Sequence, residues 1–149
     1  MDAFDLLKSD HEKVAGMLEK IESTTERAVK SRDDLFARLK QELDIHARIE
    51  EEIFYPALEE SEETHEITLE AYEEHRLVKQ LLSELEDEAK DTEEWTAKFT
   101  VLKENIEHHV EEEEGEMFKK ARKALSEEEI EQLGARLQEA KQQEKAAAR

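Results

Sequence analysis

The 149-residue chain has no cysteine. Disulfides, thiolate-bound zinc, iron–sulfur clusters and thiol nucleophiles are therefore outside its chemistry. It has one proline and three glycines, so few positions interrupt a helix. Aromatic residues make up only 5% of the chain against 43% charged residues, a balance that signals disorder where the apolar residues lack a pattern. There is no run of about 18 apolar residues that could span a bilayer. The opening Met1-Asp2-Ala3-Phe4-Asp5 turns acidic at once, unlike a secretory leader. Positive charge is also scarce: 22 Lys and Arg face 42 Asp and Glu, a net charge of −20. Nucleic acids and anionic membrane surfaces both require a basic face, so neither is an expected partner. A cytoplasmic protein is the expectation.

What is present is helical periodicity. Glu, Lys, Leu, Ala and Gln dominate, all good helix formers. Apolar residues recur at the helical period of 3.6 in five stretches. The first carries Phe4, Leu7, His11, Val14, Leu18 and Ile21 and ends in Ser23-Thr24-Thr25. The second carries Leu39, Leu43, His46, Glu50, Ile53 and Ala57, with Pro56 expected to bend or end it. A polar loop is expected at 59–63. The third stretch carries Ala71, His75, Val78, Leu82, Leu85 and Ala89, and Asp91-Thr92-Glu93 supplies a turn and N-cap. The fourth carries Phe99, Leu102, Ile106, His109, Val110, Glu113 and Phe118. Ser126 with Glu129 forms a capping box for the fifth, whose stripe is Ile130, Leu133 and Leu137. The tail from Lys141 to Arg149 reads as frayed. The expected fold is all-α: an up-down-up-down four-helix bundle with an additional short C-terminal helix. Residues 1–149 are expected to form one domain, with hairpins at 1–60 and 65–124 and the C-terminal helix at 126–145. That helix is expected to pack across the bundle or to extend the fourth.

The two hairpins repeat each other at an offset of 63 or 64 residues. His46 aligns with His109, Phe36 with Phe99, Leu43 with Ile106, Glu50 with Glu113, and Tyr55 with Phe118. His11 aligns with His75, Asp10 with Glu74, and Val14 with Val78. Each hairpin thus reads H…HxxxE, and two such hairpins packed together acquire an approximate two-fold axis.

His11, His46, His75 and His109 lie within the apolar stripes of their helices. Glu50 and Glu113 follow one turn after a histidine, on the same face. A single histidine on such a stripe is more often a hydrogen-bonded core residue than a ligand. Six groups repeated by symmetry call for a common explanation, because buried unpaired carboxylates are costly. A metal ion neutralises the carboxylates and accepts the imidazole lone pairs. The donor set suits iron, manganese or zinc. Glu51, Glu52, Glu111, Glu112 and Glu114 are assigned to a solvated face. His65 and His108 are assigned to the surface. Tyr55 and Tyr72 are assigned to packing, with a place near the metal as the alternative.

At these residues the chain resembles the hemerythrin-like (HHE cation-binding) family. Ser9-Asp10-His11-Glu12, His46-Ala47-Arg48-Ile49-Glu50 with the downstream Phe54-Tyr55-Pro56, Glu74-His75 and His109-Val110-Glu111-Glu112-Glu113 carry the resemblance. The helix from Ser126 to Leu137 resembles the family's C-terminal end. The family implies a non-haem di-iron site inside a four-helix bundle, with His11, His46, His75 and His109 as terminal ligands and Glu50 and Glu113 as bridges. Two irons per chain with an oxo or hydroxo bridge are implied. Oxygen-carrying members have a fifth histidine where Ala71 or Lys79 stands here, and an aspartate where Glu114 stands. The internal repeat favours Glu113 as the ligand, so the chain resembles the H-HxxxE-H-HxxxE branch. The resemblance implies binding of iron and of a small molecule such as oxygen, nitric oxide or peroxide, with no protein partner indicated. Non-enzymatic metal binding is favoured. A catalase- or peroxidase-like di-iron enzyme and a metal-free helical interaction module are the alternatives.

Overall fold

The computed structural model describes residues 1–148. Helix α1 (Ala3–Glu22) starts at Asp2, whose side chain accepts a hydrogen bond from Asp5 N at 2.9 Å. Helix α2 (Val29–Ile49) runs without a break through a π-helical turn (Glu50–Phe54) into α3 (Tyr55–Glu59). After a turn of two residues, α4 (Glu62–Asp87) descends, and Thr92 caps α5 (Glu93–Glu112). That helix also passes through a π-helical turn (Glu113–Met117), into α6 (Phe118–Ala124). Helix α7 (Glu127–Ala147) follows, with the Ser126–Glu129 capping box formed in both directions. Helices α1 and α2 pack as one hairpin and α4 and α5 as the other, and the two hairpins form the four-helix bundle. None of the described helices is long and apolar enough to cross a membrane.

Pro56 does not stop the second helix at once, since helical backbone continues to Glu59. It occupies the first turn of α3, where a helix makes least use of the missing N–H. In the π register, residue 56 would bond the Glu51 carbonyl. Tyr72 Oη donates to that oxygen instead, at 3.4 Å. Pro56 lies just beyond the first π turn and no proline lies near the second, so proline is not the common cause. Both π turns begin at the glutamate of an HxxxE motif. Single π turns inside α-helices concentrate at functional sites.

The buried residues divide into two apolar clusters with a polar layer between them. Val14, Leu18, Phe36, Leu82, Trp95 and Phe99 belong to one cluster, and Phe4, Phe54, Tyr55, Phe118, Leu133 and Leu137 to the other. Along α1 the order is Phe4 and Leu7, then His11, then Val14 and Leu18. The histidines therefore mark the seam. The bundle end near Trp95 is tied by buried Arg32, which donates to Lys90 O at 2.7 Å and to Thr24 Oγ1 at 2.9 Å and lies over the Trp95 ring.

Helix α7 does not extend the fourth helix, because Leu125 is extended and breaks the chain direction. It packs against α1 and α2. Its backbone comes so close that a Cβ on Gly134 would lie 2.7 Å from Met1 O and 2.8 Å from Ala3 N. The helix is also longer than its apolar stripe suggests. Residues 141–147, expected to be frayed, are helical, while Arg149 lies outside the described residues. Two ion pairs tie this extension to the bundle, Lys141 with the buried Asp10 of α1 and Glu144 with Arg48 of α2.

Candidate metal centre

All six residues expected to bind metal converge in the polar layer. His11 comes from α1, His46 from α2, His75 from α4 and His109 from α5, while Glu50 and Glu113 open the two π turns. All six are buried, with Glu50 0% and Glu113 2% exposed. They form two groups that share both glutamates: His11, His46, Glu50 and Glu113, and His75, His109, Glu50 and Glu113. Within each group one donor atom from every residue lies within 4.8 Å of the others. Glu50 Oε1 stands 3.1 Å from both His46 Nε2 and His75 Nε2. Glu113 spans the groups through its two oxygens, with Oε1 3.3 Å from His11 Nε2 and Oε2 3.1 Å from His109 Nε2.

These contacts are close without being satisfied. His11 Nε2, His46 Nε2, Glu50 Oε2 and Glu113 Oε1 are buried and have no hydrogen-bond partner. Orphaned polar atoms in a protein interior are rare and call for a cause. Here all four belong to the group of His11, His46, Glu50 and Glu113, whose two glutamates also serve the second group. Imidazole and carboxylate donors aimed at common points fit metal cations of the iron, manganese or zinc type.

The outer nitrogens of the four rings are held by carboxylates. His11 Nδ1 meets Glu114 Oε2 at 2.6 Å, and His75 Nδ1 meets Glu51 Oε2 at 2.8 Å. His46 Nδ1 meets Asp10 Oδ2 at 2.9 Å, and His109 Nδ1 meets Glu74 Oε1 at 2.6 Å. A carboxylate on one ring nitrogen fixes the tautomer and turns the other nitrogen's lone pair inward. The assignment of Glu51 and Glu114 to a solvated face is thereby corrected. Each follows a shared glutamate by one residue and orients a histidine of the opposite hairpin. The repeat carried the signal, because Glu51 corresponds to Glu114 as Asp10 does to Glu74. This also separates two adjacent glutamates: Glu113 faces the cluster and Glu114 backs His11. His65 and His108 are exposed, as expected. His108 shares the surface with Glu74 and Glu112 in a third, outer group.

Tyr55 is more than a packing residue. Its Oη donates to Glu113 Oε2 at 2.6 Å and lies 3.2 Å from Glu50 Oε1 and from His75 Nε2. The π turn puts it there, because an extra residue in the turn brings positions 50 and 55 to the same face. Tyr72 packs against Tyr55 instead of entering the layer.

Protons are held tightly in the metal-free cluster. Burial opposes charge on His109, yet its contacts with Glu113 and Glu74 raise its pKa to about 10. His46 is likewise buried, and Glu50 and Asp10 hold its pKa well above the ordinary imidazole range. Burial works against the charge of Glu113, but its neighbours Glu50, His109 and His11 keep it well below the usual carboxylate range. Burial, then Glu113 and Glu50, push the Tyr55 phenol well upward. A cation entering this cluster must displace the protons that balance its carboxylates.

Beside the four rings, on the side away from Tyr55, is a cavity of about 40 Å³. Its apolar walls include Val14, Leu43, Val78, Leu82, Ile106 and Val110. Asp44 and Lys79 also border it.

A helical bundle with two His₂ pairs sharing two buried glutamates defines a cation-binding bundle protein. Residues 2–121 match the model of the hemerythrin HHE cation-binding domain, and the chain belongs to that family. It is similar to the crystal structure of a hemerythrin HHE cation-binding domain-containing protein from Mycobacterium kansasii. The two share 29% identity with a TM-score of 0.86 over 99% of this chain and 90% of the other. Among curated proteins no sequence matches.

Proposed function

We propose that this protein holds two non-haem irons between Glu50 and Glu113 and binds a small molecule, oxygen, nitric oxide or peroxide, beside them. The carrying observation is the set of four buried, unpartnered atoms, two on the glutamates common to both ligand groups and two on His11 and His46 of one group. Membership of a cation-binding family supports the metal, and the sulfur-free donor set supports iron. Residues 1–149 act in this reading as one domain, since both hairpins contribute to the same centre.

His11 and His46 would hold one ion, His75 and His109 the other, with Glu50 and Glu113 spanning both. Iron bound there supplies redox chemistry and open coordination positions. The protein supplies orientation, through the four outer carboxylates, and exclusion of water, through the apolar cavity walls. A cavity of about 40 Å³ has room for a diatomic molecule or a water or two. Its apolar lining favours oxygen or nitric oxide over peroxide.

One observation favours the enzymatic reading: the Tyr55 hydroxyl touches both spanning carboxylates and is placed to donate a proton at the centre. Peroxide turnover by iron-loaded protein that is lost in Tyr55→Phe while iron content persists would select the enzyme. A metal-free interaction module leaves the four orphaned atoms without a cause. It predicts no change in melting temperature on chelation.

The test is metal content after loading with iron. About two irons per chain, falling below one in Glu50→Ala, is the expected result. Iron that never exceeds trace levels, or zinc alone surviving the loading, overturns the reading. Val78→Phe should keep the iron while abolishing nitric oxide binding, because the ring fills the cavity.

A further inference from the structure

The family match ends at residue 121, before α7 begins at Glu127. Yet α7 reaches the centre. Lys141, one-fifth exposed, pairs with Asp10 Oδ1, and Asp10 Oδ2 in turn holds His46 Nδ1 at 2.9 Å. We propose that Lys141 is a positioning residue for the metal centre, setting how strongly His46 binds a cation, so that α7 is part of the metal-binding apparatus and more than a cover. The inference rests on the metal centre proposed above.

The two hairpins provide the comparison. Asp10 and Glu74 are equivalent in the repeat, and each orients the histidine of the next helix. Asp10 is 2% exposed and has a lysine of its own. Glu74 is partly open to solvent beside His108 and Glu112, and among the described residues no lysine or arginine is paired to it. The equivalents of His108 and Glu112 in the first hairpin are Ile45 and Ile49, both buried. That face is the one α7 covers.

Of the other outer carboxylates, Glu51 is paired with Lys79 at 2.9 Å, but Lys79 is half exposed and water screens it. Lys141 acts in a drier setting, where a charge is felt more strongly. An ammonium on Asp10 draws off part of the negative charge that would otherwise strengthen His46 as a donor. It also adds a positive charge on the side where a cation would bind. Both effects weaken the His11–His46 position relative to an unopposed Asp10–His46 pair.

The closing experiment is an anaerobic titration of metal-free protein with Fe²⁺ against a chromophoric chelator. Wild type should take up two Fe²⁺ per chain. Lys141→Met keeps the packing stem and removes the charge. It should tighten one of the two steps roughly tenfold, with unchanged helicity. Lys141→Arg should behave as wild type. Asp10→Asn, which takes away the anionic partner, should weaken the same step. In His11→Ala, which disables that position, Lys141→Met should have no effect. A merely structural role for Lys141 predicts the opposite sign, with Lys141→Met weakening Fe²⁺ binding as Asp10→Asn does. That result, or identical affinities for wild type and Lys141→Met, overturns the inference. Wild type taking up no Fe²⁺ would instead overturn the metal centre itself.

Discussion

Tyr55 and Phe118 occupy equivalent places in the two hairpins, yet only Tyr55 carries a hydroxyl into the ligand cluster. Each follows a shared glutamate by five residues across a π-helical turn. Tyr55 Oη touches Glu50, His75 and Glu113, whereas Phe118 packs on Phe4 and Phe54. The repeat is therefore broken at this position by one oxygen atom.

Tyr55→Phe should destabilise the metal-free protein by about 1–3 kcal/mol, the usual consequence of stranding buried polar partners. Thermal or chemical unfolding of the metal-free form measures this. A change within about 0.5 kcal/mol would show that the phenol contributes nothing to holding the free carboxylates.

The metal-free protein should lose stability as pH rises above neutrality. His109 has a folded pKa raised to about 10 from 6.5. A raised pKa stabilises fully below the unfolded value, and the contribution disappears as pH climbs through the folded one. Melting temperature should thus fall between about pH 6.5 and 10. The fall should be smaller in His109→Gln and in metal-loaded protein, where a cation replaces the proton. A flat profile for the metal-free form would contradict the proton-held cluster.

Glu51→Gln and Glu74→Gln should each keep the ligands while lowering metal affinity by about 10- to 100-fold, since outer carboxylates orient the imidazoles. Competition with a chelator reports the affinity. Glu52→Gln serves as the control, because Glu52 is exposed. Equal affinities for all three variants would return Glu51 to the solvated face and leave Glu74 without a role at the centre.

Gly134→Val should detach α7 or strain it, because the Cβ would collide with backbone of residues 1–3 and not with a movable side chain. A loss of about 1–3 kcal/mol is expected from overpacking of this kind. Denaturant unfolding tests it, with Gly16→Ala as the control, since a Cβ at Gly16 meets nothing within 4 Å.

The helices and the six ligand candidates were legible because their signals are local or periodic. Leu7, His11, Val14 and Leu18 share a face by the helical period alone. Two copies of the same pattern made the set of His and Glu recognisable. The outer carboxylates were harder to see. Only the repeat separates Glu51 from Glu52 in sequence, pairing the first with Glu114 and the second with Gly115, and it takes the neighbouring helix to show that Glu51 touches His75 while Glu52 faces water.

By itself the sequence determined an all-α bundle, its five helical stripes, its internal repeat and the inward placement of His11, His46, Glu50, His75, His109 and Glu113. Period and repetition suffice for that, since every helix obeys the same geometry. Tertiary structure alone decided the rest. The π turns rotate Tyr55 onto the face of Glu50, a change of register that composition does not announce. The docking of α7 brings Lys141 to Asp10 across 131 positions of chain. Which charges meet over such a separation depends on how packed helices sit against one another, and no local pattern records it.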